Sequence, residues 1–79
     1  MDIIQEFFNN IGRSDINKNS KNLLSDGIID SIDVISLVTE IEKYYNKPIK
    51  SNFIKPEVFE DFENIQRMIT ESMNHDSSF

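Results

Sequence analysis

Ile3, Ile4, Phe7, Phe8 and Ile11 recur at spacings of three and four, the stripe of an amphipathic helix. They predict a first helix over residues 2–11, with Gly12 ending it. Residues 13–25 are rich in Asn, Lys and Ser, and Ile16, Leu23 and Leu24 are scattered apolar pegs. That stretch reads as a long loop packed over the core, and long loops in small domains are often functional. Helical periodicity resumes at Asp30 or Ser31, both good N-caps, and runs to about Tyr45, with Pro48 closing it off. At about 100° per residue, Val34, Leu37, Val38, Ile41, Tyr44 and Tyr45 share one arc, which reads as core. Asp33, Ser36, Thr39, Glu40 and Lys43 take the opposite arc, yet Ile32 lies among them and Ile35 lies near its edge with Glu42. Two isoleucines thus stand on the polar side.

After a loop over residues 46–55, Pro56 suits the first turn of a short helix, Pro56–Glu60, which contributes Val58 and Phe59. Asp61 then caps a last helix whose Phe62, Ile65, Met68, Ile69 and Met73 face inward to about Met73. The tail, residues 74–79, is expected to fray. The pattern predicts one all-α domain over residues 1–73: three main helices, one short helix and a long first loop. Phe7, Leu37, Ile41, Phe59, Phe62, Ile65 and Ile69 are its expected core.

Composition narrows the chemistry. At 79 residues the chain is near the low end of what buries a useful core without disulfides or metals. It has no cysteine, so a disulfide framework, a cysteine zinc site and a protein thiol nucleophile are all excluded. Any thiol chemistry must be imported. His75, the single histidine, is in the polar tail, which leaves a serine or metal-assisted mechanism without a histidine partner in the body. The expectation is a non-catalytic protein. The start, Met1-Asp2-Ile3-Ile4-Gln5-Glu6, lacks the basic region and apolar run of a secretory signal, and no stretch reaches the roughly 18 apolar residues of a membrane span. Cytoplasm is the default location. A net charge of -6 argues against a nucleic-acid groove, which needs clustered Lys and Arg. Basic protein partners fit better.

The acidity is uneven. Residues 1–24 hold three acids and three bases, whereas residues 25–45 carry Asp26, Asp30, Asp33, Glu40 and Glu42 against Lys43 alone, four of the six net negative charges. Ser31 sits in this segment. In the plain reading, Asp30 or Ser31 merely satisfies orphan N–H groups at a helix start. The preceding Leu23-Leu24-Ser25-Asp26-Gly27-Ile28-Ile29-Asp30 brings an apolar pair and a turn glycine up to the serine, with Ile32 and the helix beyond. A serine at such a junction is held on a rigid element yet projects into solvent, as attachment by another enzyme requires.

Here the chain resembles the acyl carrier and peptidyl carrier family, whose pattern is an apolar residue, a short acidic, glycine-containing turn, then Asp-Ser followed by Leu, Ile or Met. It reads Asp26-Gly27-Ile28-Ile29-Asp30-Ser31-Ile32 in this sequence, and the similarity continues through Val34-Ile35-Ser36-Leu37-Val38-Thr39-Glu40-Ile41-Glu42, Tyr44-Tyr45 and Pro48-Ile49. It extends over Ile54-Lys55-Pro56-Glu57-Val58-Phe59 and Phe62-Glu63-Asn64-Ile65, about residues 2–73 in all. The resemblance implies a four-helix carrier bundle. It also implies that a phosphopantetheinyl transferase moves a 4′-phosphopantetheine arm from coenzyme A to the Ser31 hydroxyl. The arm's thiol would then hold an acyl or aminoacyl group as a thioester, loaded by a ligase or synthase, for fatty-acid, polyketide or related biosynthesis. The attached phosphodiester would meet the positive end of a helix dipole, opposed by Asp30 and Asp33.

The misplaced isoleucines gain a role in that picture. Ile32 and Ile35, with Asp30, Asp33, Glu40 and Glu42 around them, form a candidate docking contact for basic partners of a monomeric carrier; the competing reading has the short helix or the long loop covering one of them. Many fatty-acid carriers have a denser acidic run along this helix, which Ser36, Thr39 and Lys43 interrupt here. The Gly-Ile-Ile-Asp-Ser form and the Pro-Glu-Val-Phe segment look more like stand-alone carriers of specialised pathways. The alternatives are an aminoacyl or peptidyl carrier, an unmodified helical interaction module, and a calcium loop. Asp26, Asp30 and Asp33 lack the alternating ligands and terminal glutamate of an EF-hand.

Overall fold

The computed structural model describes residues 2–76. Among them the architecture is all-α: α1 (Ile3–Asn10), α2 (Ser31–Tyr45) and α3 (Phe62–Asp76), with short 3₁₀ segments at Ser51–Phe53 and Pro56–Glu60 and no strand.

The helix ends follow from local chemistry. The Asp2 carboxylate accepts the Ile4 N–H at 2.9 Å and caps α1. At its other end Gly12 has φ +81°, the Gly12 N–H donates to Asn9 O at 3.1 Å, and the Arg13 N–H donates to Phe8 O at 2.8 Å. This is the Schellman closure that a left-handed glycine permits. Asn46, rather than Pro48, terminates α2. Its backbone is left-handed at φ 54°, and its N–H returns to Glu42 O; asparagine tolerates that region, and a proline commonly follows shortly after.

Among the described residues, fourteen buried apolar side chains form one core. Phe7, Leu37, Ile41, Phe59, Phe62, Ile65 and Ile69 all belong to it, joined by Ile4, Phe8, Ile16, Leu23, Ile29, Ile49 and Met68. The rings of Phe8 and Phe62 stack with centroids 5.2 Å apart and tie α1 to α3. Ile16, Leu23 and Ile29 peg the long loop down, and Gln5 Nε2 donates to Ile16 O at 2.8 Å.

Several boundaries differ from the expectation. Tyr44 is 60% exposed: it stands at the edge of the inward arc, its ring meeting Phe7 and Tyr45 edge-on at 5.7 and 4.8 Å. Val34, Val38 and Tyr45 are half-buried against the core. The loop over residues 46–55 contains the 3₁₀ turn Ser51–Phe53, and the short helix is itself 3₁₀. The last helix runs to Asp76 rather than Met73, because no glycine or proline interrupts residues 62–76 and because buried Ser72 and half-buried Met73 hold its last turns to the core. Residues 74–76 of the expected tail are therefore helical, and residues 77–79 lie outside the described residues.

Candidate functional site

Asp30 is the N-cap of α2. Its Oδ1 accepts the N–H groups of Ile32 and Asp33, each at 3.0 Å, while Asp33 Oδ2 accepts the Asp30 N–H at 3.3 Å. This reciprocal capping box satisfies the orphan donors of the first turn. Capping thus falls to Asp30, and Ser31, the first helical residue, is exposed with no hydrogen bond to its hydroxyl among the described residues.

Arg13 braces this turn from the end of α1. Its Nη1 donates to Asp33 Oδ2 at 3.0 Å, its Nη2 to the Ile28 carbonyl at 2.8 Å, and its Nε to Asp15 Oδ1 at 3.2 Å. The hydrogen bond with Asp15, with the charges of Asp15, Asp33 and Asp30, holds the guanidinium above its ordinary pKa, and the same bond holds the Asp15 carboxyl below the usual range. The long loop is also gripped from the opposite side. Glu60 Oε1 accepts the N–H groups of Leu24 and Ser25, both at 3.1 Å, its Oε2 accepts the Ser25 hydroxyl, and its carbonyl accepts the Leu23 N–H at 3.0 Å. The Ser25 side-chain bond, then the backbone bonds, lower the Glu60 pKa. Gly27, at φ +71°, completes the turn toward Ser31.

Beside Ser31 the loop, α2 and the second 3₁₀ segment enclose a cleft of about 210 Å³. Leu24, Val34, Ile54 and Phe59 line it, and Pro56 and Lys55 complete its edge. The walls are apolar, and Lys55 is the sole cation among the described residues that line them.

The proposed docking residues separate into two sets. Ile32 and Ile35 are 71% and 65% exposed, and neither the loop nor the short helix covers them; Ile28, 39% exposed, joins the loop side. Asp30 and Asp33 serve the capping box. Glu40 accepts from Asn10 Nδ2 at 3.1 Å and pairs with Lys43 at 3.7 Å, and Glu42 Oε2 accepts the Ile49 N–H at 2.8 Å, pinning the chain after α2. Sequence reasoning missed Arg13, Glu60 and the cleft-side position of Lys55. Arg13 and Asp33 are twenty residues apart, and Glu60 and Ser25 thirty-five, so no local periodicity signals either pairing. Asp30 and Asp33 at the ends of a four-residue helix start were the one local sign of the box.

Among the described residues no group of three or more His, Asp or Glu side chains is placed to hold a metal ion, and no helix is long and apolar enough to cross a membrane. Comparison with protein-family models, with curated proteins and with solved structures finds no match in any of the three.

Proposed function

We propose that this chain is an acyl carrier: a four-helix carrier domain, itself non-catalytic, that bears a 4′-phosphopantetheine arm on Ser31 and presents acyl thioesters to partner enzymes. The observation that carries the reading is the division of labour at the start of α2. Asp30 does the capping, so the exposed Ser31 hydroxyl is left without a hydrogen-bond partner among the described residues. In the transfer, the Ser31 oxygen bonds to the pantetheine-side phosphorus of coenzyme A. The bond from that phosphorus to the adenosine-side phosphate oxygen breaks, 3′-phosphoadenosine 5′-phosphate leaves, and the hydroxyl proton passes to a base of the transferase.

The arm supplies the thiol that this cysteine-free chain lacks. The chain's own residues hold the attachment point: the Asp30–Asp33 box fixes the first turn, Arg13 and Glu60 fix the loop on either side, and the apolar cleft offers cover beside Ser31. Exposed Ile32 and Ile35 next to the attachment point support docking by the transferase and by loading ligases or synthases. The test exploits the missing cysteine. After incubation with coenzyme A and a broad-specificity transferase, a thiol reagent should label wild type once per chain and leave Ser31→Ala unlabelled. An unlabelled wild type that is folded, beside a control carrier that labels, defeats the reading.

A further inference from the structure

Two cations stand near the start of α2, and they differ in what they do. Arg13 is spent on Asp15, Asp33 and the Ile28 carbonyl. Lys55 lines the same cleft as Ser31, is exposed, and makes no ion pair among the described residues. The charged residues nearest Ser31 in sequence, Asp26, Asp30 and Asp33, are all negative, and of these Asp33 is paired with Arg13.

From this arrangement we infer that Lys55 is a positioning residue for the arm. It pairs with the phosphodiester formed on Ser31 and draws the arm off the acidic face of α2, into the cleft walled by Leu24, Val34, Ile54 and Phe59. The inference rests on the Ser31 reading and adds the direction in which the arm lies.

The chemistry is matched at both ends. A phosphodiester is a permanent anion at neutral pH and carries its two free oxygens within reach of whatever surrounds the serine. Asp30 and Asp33 repel it along α2, and the cation that lines the cleft attracts it toward Pro56. The part of the arm that follows the phosphate carries a gem-dimethyl carbon ahead of its hydroxyl and amides, and the cleft wall next to Lys55 is apolar. A lysine can lay its own stem along such a surface while its ammonium stays in water. An exposed pair of this kind is screened by salt, so its effect should fade as ionic strength rises.

The test uses the full chain as wild type and as Lys55→Arg, Lys55→Gln and Lys55→Glu. Each is incubated with coenzyme A and the transferase, checked by mass, and compared in its unmodified and modified forms by ¹⁵N amide spectra at low and at high salt. Wild type and Lys55→Arg should show modification-dependent shifts across residues 54–59. In Lys55→Gln those shifts should fall by about half or more, and in Lys55→Glu they should vanish, with the wild-type shifts shrinking at high salt. Mass added to all four proteins with equal shifts at residues 54–59, or with shifts confined to residues 32–36, overturns the role of Lys55 and leaves Ser31 as the attachment site. Absence of added mass in every protein removes the Ser31 reading, and the role of Lys55 with it.

Discussion

At the scale of single residues, Asp30 and Ser31 are neighbours with opposite duties. The Asp30 carboxylate accepts two backbone N–H groups, while the Ser31 hydroxyl accepts none and donates to none among the described residues. Ser31→Ala should therefore shift stability by no more than about 0.5 kcal/mol, as for surface positions without a structural partner. Asp30→Ala removes a cap, and should cost about 1 kcal/mol. Urea midpoints of the two variants check this. Equal losses would mean that Ser31 shares the capping, which would weaken the case that its hydroxyl is kept for something else. Arg13 makes a related prediction: Arg13→Met should lower the midpoint and slow modification of Ser31, because the turn that presents the serine loses its brace.

At the scale of elements, α2 has two outward isoleucines and acids that look alike in sequence but are not equivalent. Asp33 and Glu42 hold backbone N–H groups, and Glu40 bridges to Asn10 and Lys43. Ile32→Ala should thus leave the urea midpoint nearly unchanged while raising the transferase KM, with little change in salt dependence. Asp33→Asn should lower the midpoint by itself. A transferase KM unaffected by Ile32→Ala would reduce that isoleucine to a solvated helix position. The helices themselves were legible because each is set by signals only a few residues apart: Asp2 before α1, Gly12 after it, Asp30 before α2, and apolar repeats at three and four. Helix phase places Leu37, Ile41 and Tyr44 of α2 inward; the structure agrees at Leu37 and Ile41 but not at Tyr44, at the edge of the arc, which is 60% exposed. The end of α3 was missed because polar composition after Met73 says little about a helix that nothing interrupts. Of the candidate site, the place of Ser31 at the exposed start of α2 and the outward position of Ile32 and Ile35 are legible from local pattern and helix phase. The clamps made by Arg13 and Glu60, and the cleft that joins Lys55 to Ser31, depend on contacts between distant segments, which no window of sequence contains.

At the scale of the whole molecule, one small core supports everything at the site. Ile41 is fully buried at the centre of it, so Ile41→Ala should cost about 2 to 5 kcal/mol, a large share of the stability of a domain this size. Chemical denaturation measures it, and a negligible shift would misplace α2. Acid acts on the same frame through Glu60. Its pKa is lowered in the folded chain by the Ser25 and Leu24 donors, so the charged form favours folding. That contribution is complete above the unfolded glutamate value of about 4.3 and is lost as pH falls below it through the lowered folded value. Glu60→Gln should lose less stability than wild type over that acid range. In the proposed function, this frame presents Ser31 for modification. Fragment mass spectrometry of the chain after incubation with coenzyme A and a transferase tests it most directly. A single phosphopantetheine is expected on the fragment bearing Ser31 and none on Ser31→Ala, whereas the same addition on Ser31→Ala, or on another residue of wild type, would show that Ser31 is not the attachment point.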